Sequence, residues 1–131
     1  MIKDHLTLLV CPKTKKPLEL KIIEVDELGR VKEGFLIEPD SGSEYSIIDY
    51  IPRFVPKTNY ANSFGFQWNL HLLTQQDEYS DVKLSEDRFF KETKWDKKLH
   101  GELILEVGSG AGRFTKHAIS TGATVVSFDY S

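Results

Sequence analysis

Three glycines at alternate positions, Gly108, Gly110 and Gly112, follow directly on the apolar run Ile104-Leu105-Glu106-Val107, and no other stretch narrows the fold as much. An apolar run ending in closely spaced glycines reads as a strand turning sharply into a helix, because glycine alone enters left-handed conformations without steric cost. Glu106 stands two residues before the first glycine. One helix-length segment later, Thr124-Val125-Val126-Ser127-Phe128-Asp129 reads as a second strand ending in an acid, with Gly122 capping the helix between them. The spacing predicts a strand over 103–107, a helix from about 112 to 121 and a strand over 124–129. Such a βαβ unit pairs its strands in parallel.

Upstream the chain reads in two further parts. Residues 1–56 have the pattern of a small β-rich unit. A short helical turn is expected from Asp4, as N-cap, to Val10, stopped by Pro12. Strands are expected over Leu18–Val25, Val31–Ile37 and Tyr45–Ile48, with turns at Asp26–Arg30 and Pro39–Ser43 and an extended exit over Ile51–Pro56. Residues 57–100 form a polar connector carrying aromatic residues. Tyr60, Phe64, Trp68 and Leu72 recur every four residues, the spacing of one helix face. A second helix is expected to start at Ser85 and to carry Phe89, Phe90 and Trp95.

Composition excludes several classes. The 131 residues are 40% apolar and 28% charged, which suits a folded domain or two small ones and not a disordered chain. Net charge is −3 with acids and bases evenly spread, so backbone-driven nucleic-acid binding has no support. A single cysteine, Cys11, rules out an intramolecular disulfide. No apolar run has the length of a membrane span or the form of a signal peptide, so no membrane partner is expected and the cytoplasm is the expected location.

The loop chemistry points to a class of ligand. A dinucleotide loop, G-x-G-x-x-G, needs its third glycine where this chain has Arg113, and a P-loop needs Gly-Lys-Ser/Thr, which is absent. The loop is poor in phosphate-binding features and rich in acid. Glu106, at the strand's end, has the chemistry to accept hydrogen bonds or balance a cation. Asp129 is placed to accept two ribose hydroxyls. A cationic, ribose-bearing ligand without phosphates fits, and S-adenosylmethionine has that chemistry.

Glu106-Val107-Gly108-Ser109-Gly110-Ala111-Gly112 resembles motif I of class I S-adenosylmethionine-dependent methyltransferases, and Asp129 falls where their motif II acid falls. Ser63-Phe64-Gly65-Phe66-Gln67-Trp68-Asn69, Thr74-Gln75 and Arg88-Phe89-Phe90 resemble a subgroup with an F-G-x-Q-W element before motif I. The resemblance implies a Rossmann-like sheet, with cofactor contacts from Glu106, Gly108, Ser109, Gly110, Gly112 and Asp129, and from Gln67 and Arg88 on the connector. Acceptor and base residues of such enzymes come from later strands. This 131-residue chain alone is therefore expected to be inactive, and its catalytic residues and methyl acceptor are undetermined.

The first 56 residues resemble the small zinc-ribbon proteins that activate tRNA and release-factor methyltransferases, through Leu8-Leu9-Val10-Cys11-Pro12, Gly34-Phe35-Leu36-Ile37 and Tyr45–Phe54. That family holds zinc in two C-x-x-C knuckles. Here only Cys11 remains, with Thr14, Glu38 and Ser41 at the other ligand places and Tyr50 where glycine is usual. One thiolate cannot make a four-ligand site, so no metal is expected and Cys11 reads as a core residue. His5, His71, His100 and His117 show no ligand spacing. Together the resemblances imply an α/β chain: a degenerate ribbon over 1–56, a connector over 57–100 and the start of a Rossmann-like domain over 101–131. The alternative is a non-enzymatic module that binds or activates a protein partner through residues 1–56.

Overall fold

The structure, a computed structural model, describes residues 1–56 and 84–130. The chain divides into two compact units, Met1–Lys57 and Thr58–Ser131. Tyr60, Phe64, Gln67, Trp68, His71, Leu72, Thr74 and Gln75 lie outside the described residues.

The first unit is an antiparallel sheet of β1 (Glu19–Val25), β2 (Val31–Glu38), β3 (Ser43–Ile48) and β4 (Ile51–Pro52), in that spatial order. Consecutive strands are neighbours because every connection is a tight turn. Asp26 builds the first one. Its Oδ1 accepts from the N–H groups of Leu28 (3.1 Å) and Arg30 (2.9 Å), and its Oδ2 from Arg30 Nε (2.7 Å). Asp49 and Tyr50, at φ 47° and 70°, close the last hairpin with two left-handed residues. A two-residue hairpin turn with both central residues left-handed matches the twist of the strands it joins. Alternating residues of β2 and β3 put Leu36, Tyr45 and Ile47 on one face, where they join Met1, Cys11, Leu18 and Val31 as the core.

Lys3–Leu8 is a 3-10 helix, in place of the turn expected over Asp4–Val10, and Ile2 rather than Asp4 holds the cap position. The chain must already be extended at Leu9 for Val10 to bridge Pro17, and Leu6 and Leu9 must reach the core. The tighter helix meets both demands in six residues.

Cys11–Lys15 and Glu38–Gly42 form two matching turns. Lys15 N–H donates to the Cys11 carbonyl (2.8 Å) and Gly42 N–H to the Glu38 carbonyl (2.9 Å). Lys15 and Gly42 are both left-handed, at φ 61° and 67°. Cys11 and Glu38 are fully buried. Cys11 Sγ lies 3.2 Å from the Tyr45 hydroxyl, and the Glu38 carboxylate accepts from the N–H groups of Asp40 (3.0 Å) and Ser41 (3.1 Å). Lys16 and Asp40 pair across the turns at 2.6 Å. Hydrogen bonds thus satisfy these buried polar groups. Among the described residues no three His, Cys, Asp or Glu are placed to hold an ion.

Burial pushes the Cys11 thiol up, but the Thr14 and Tyr45 hydroxyls and the Thr14 and Lys13 N–H groups outweigh it and bring the thiol down to about 7. The Ser41 hydroxyl, with the Asp40 and Ser41 N–H groups and Lys16, holds Glu38 below its ordinary value of 4.5 against the opposing effect of burial. The unfolded chain therefore binds this proton more readily than the folded one. The stabilisation is fully present above pH 4.5 and is lost as pH falls through the lower folded value. Acid titration of the first unit, followed by amide exchange, is expected to show this loss. Glu38→Gln should flatten that part of the profile, and an unchanged acid limb would refute the assignment.

The second unit contains α1 (Leu84–Thr93), β5 (Leu103–Val107), α2 (Thr115–Ser120) and β6 (Thr124–Phe128). β5 and β6 pair in parallel, from Leu103 opposite Thr124 to Val107 opposite Phe128. α2 starts three residues later than the spacing predicts. Gly110 and Gly112 stand at φ 52° and 78°, and a right-handed helix cannot pass through them. Gly122, at φ 82°, ends it as expected, its N–H donating to the Ile119 carbonyl (3.0 Å). α1 starts at Leu84, one residue before the expected Ser85, and Trp95 lies beyond its end.

Ile104, on β5, and Ala118, on α2, are buried. The alternate residues Leu103, Leu105 and Val107 are 56%, 63% and 68% exposed. On β6 Phe128 is exposed, whereas Val125 and Val126 are half-buried. No helix among the described residues is long and apolar enough to cross a membrane.

Candidate functional site

The glycine loop joins the C-terminal end of β5 to α2, and its three alternate glycines are all left-handed, Gly108 at φ 73°. Each reversal of the chain turns amides back toward the end of β6. Gly108 and Ser109 N–H both donate to the Phe128 carbonyl (2.8 and 3.3 Å), and Gly110 N–H donates to Asp129 Oδ2 (2.8 Å). Gly112 N–H donates to the Ser109 carbonyl (2.9 Å) and tightens the last part of the turn. The loop is therefore laced to the neighbouring strand by backbone and by one carboxylate.

Asp129 stands just past β6, one residue beyond the strand predicted to contain it. Sequence spacing led to an acid ready to grip two hydroxyls at once. In the structure one of its oxygens accepts from the loop, because left-handed Gly110 aims its N–H at the strand end. Asp129 thus braces the loop as well as bordering it.

Glu106 is positioned by partners that its own segment does not reveal. Its Oε2 accepts from Thr115 Oγ1, at the start of α2 (2.6 Å), and from Ser127 Oγ, its cross-strand neighbour on β6 (2.8 Å). Two lone pairs on one oxygen meet two hydroxyls. Ser127 was legible from the parallel register, since aligning the two strands from their apolar ends places it opposite Glu106. Thr115 was not, because its approach depends on where α2 begins.

A cavity of about 560 Å³ opens beside the loop. Glu106, Gly108, Ser109 and Phe114 line one side and Arg88, Phe89, Glu92 and Trp95 the other. The place where a Cβ of Gly108 would stand has no atom within 4 Å, so the backbone presents open space to a ligand. α1 is held against the loop by Arg113 Nε donating to Ser85 Oγ (2.8 Å). Phe89 adds a stacked contact with Phe114 (6.3 Å) and a tilted one with His117 (6.1 Å). Phe89 also meets Trp95 edge to face at 5.9 Å.

The structure thus brings Glu106, Gly108, Ser109 and Arg88 to one cavity and ties Gly110 to Asp129 behind them. Gly112 serves the turn through its φ of 78°, which strains any L side chain, and a Cβ there would only touch Thr115 Oγ1, the hydroxyl that holds Glu106. Gln67 lies outside the described residues. No protein-family model matches the chain, and no curated protein matches it significantly.

Proposed function

We propose that the second unit carries the S-adenosylmethionine half-site of a class I methyltransferase, with β5, α2 and β6 as the opening unit of a Rossmann-like sheet. The observation that supports this most is the loop of left-handed glycines between two parallel strands, bordered by Glu106 on one strand and Asp129 beyond the other. Ligands of open α/β sheets bind at the carboxyl ends of the strands, where this loop lies. In this reading Gly108 and Ser109 give close backbone approach, Glu106 accepts from the cofactor's ammonium, Arg88 faces its carboxylate and Asp129 its ribose. The acids offer acceptors and negative charge where a phosphate would be repelled.

The bound cofactor would supply an electrophilic sulfonium methyl. The protein's contribution is to hold that methyl in line with an acceptor atom and to keep water away, which is catalysis by proximity. Calorimetric titration with S-adenosylhomocysteine tests the reading. Saturable binding at one site is expected, with no comparable binding of a nicotinamide dinucleotide. Absence of S-adenosylhomocysteine binding would end it.

A further inference from the structure

Glu106 is the one carboxylate of β5, and it borders the cavity. A carboxylate oxygen has two lone-pair directions in its plane. On Oε2 both are taken, by Thr115 Oγ1 at 2.6 Å and Ser127 Oγ at 2.8 Å. Each hydroxyl has a single hydrogen, and here each gives it to Glu106. Oε1 takes no hydrogen bond from any described residue. A donor arriving from the cavity therefore has one oxygen to meet, in an orientation set by two other elements of the fold.

We infer that Thr115 and Ser127 are positioning residues, which lock the Glu106 carboxylate so that Oε1 receives the ammonium of an α-amino-acid moiety on the ligand. The inference rests on the reading of this loop as an S-adenosylmethionine site. The lock is built from two directions. Ser127 is fixed by the parallel register of β5 and β6, and Thr115 by the start of α2 immediately after the glycine loop. Without either hydroxyl the carboxylate regains rotation about its terminal torsions, and the ammonium must order it on binding. An anionic or purely apolar group would gain nothing from Oε1, since an ionised carboxylate only accepts.

Two probes separate positioning from a structural role: S-adenosylhomocysteine, which carries the amino-acid moiety, and 5′-methylthioadenosine, which lacks it. In the full chain, Thr115→Val and Ser127→Ala are each expected to weaken S-adenosylhomocysteine roughly tenfold, the worth of one charge-assisted hydrogen bond. The affinity for 5′-methylthioadenosine should stay within twofold of the parent chain. Thr115→Ser and Ser127→Thr, which keep the hydroxyls, should restore the preference. Equal weakening of both probes, or an unchanged preference, overturns the inference and leaves the loop reading standing. If the parent chain binds neither probe, both fall together.

Discussion

Asp129→Ala is expected to raise the dissociation constant for S-adenosylhomocysteine by roughly 10- to 100-fold, which corresponds to about 1.5–3 kcal/mol for a hydrogen bond to a charged group. Two losses combine in this variant. A carboxylate that would accept from a ribose disappears, and so does the acceptor that holds Gly110 N–H at 2.8 Å. The second loss has its own signature. The Gly110 amide should exchange with solvent faster in the variant even without ligand, because its partner is gone. Asp129→Asn keeps one carbonyl oxygen for that amide and should retain the slower exchange while still losing affinity. A dissociation constant within twofold of the parent chain in Asp129→Ala would remove Asp129 from the site.

Leu36→Ala is expected to cost the first unit about 2–5 kcal/mol, the range for deleting most of a buried leucine side chain. A unit of this size has roughly 3–8 kcal/mol to lose, at about 0.05–0.15 kcal/mol per residue. Leu36 is fully buried in a core whose other members are Met1, Cys11, Leu18, Val31, Tyr45 and Ile47. So small a core leaves few neighbours to close the cavity. Both tryptophans of the chain, Trp68 and Trp95, belong to the second unit, so the change must be read by amide exchange or circular dichroism. Protection across β2 and β3 should collapse while that of β5 and β6 stays. Protection lost equally in both units would refute this expectation.

Much of the local architecture was legible from the residues. The apolar run before Gly108 gives β5 at the expected bounds, and the Asp26 turn and the Gly122 cap stand where side-chain chemistry puts them. Spacing predicts a longer helix between the strands than the structure has, because it does not say that Gly110 and Gly112 are both left-handed. The N-terminal helix was read as wider than it is, since the demand that Val10 bridge Pro17 comes from the rest of the sheet. The helix expected from Ser85 starts one residue earlier, at Leu84. In the structure the Ser85 hydroxyl meets Arg113, twenty-eight residues further on.

The roles of the acids divide in the same way. The sequence by itself determined that a strand would run into a glycine-rich turn, with one carboxylate before it and another at the end of the next strand. These are consequences of backbone sterics and of period-two alternation, which act within a few residues. Only the tertiary structure decided what each carboxylate does. Glu106 is oriented by Thr115 and Ser127, Asp129 holds the loop through Gly110, and Glu38 and Cys11 are satisfied by hydrogen bonds at two matching turns. The reason is physical: a side-chain hydrogen bond forms only over about 3 Å, so its partner is chosen by strand register and helix docking, which no local pattern contains.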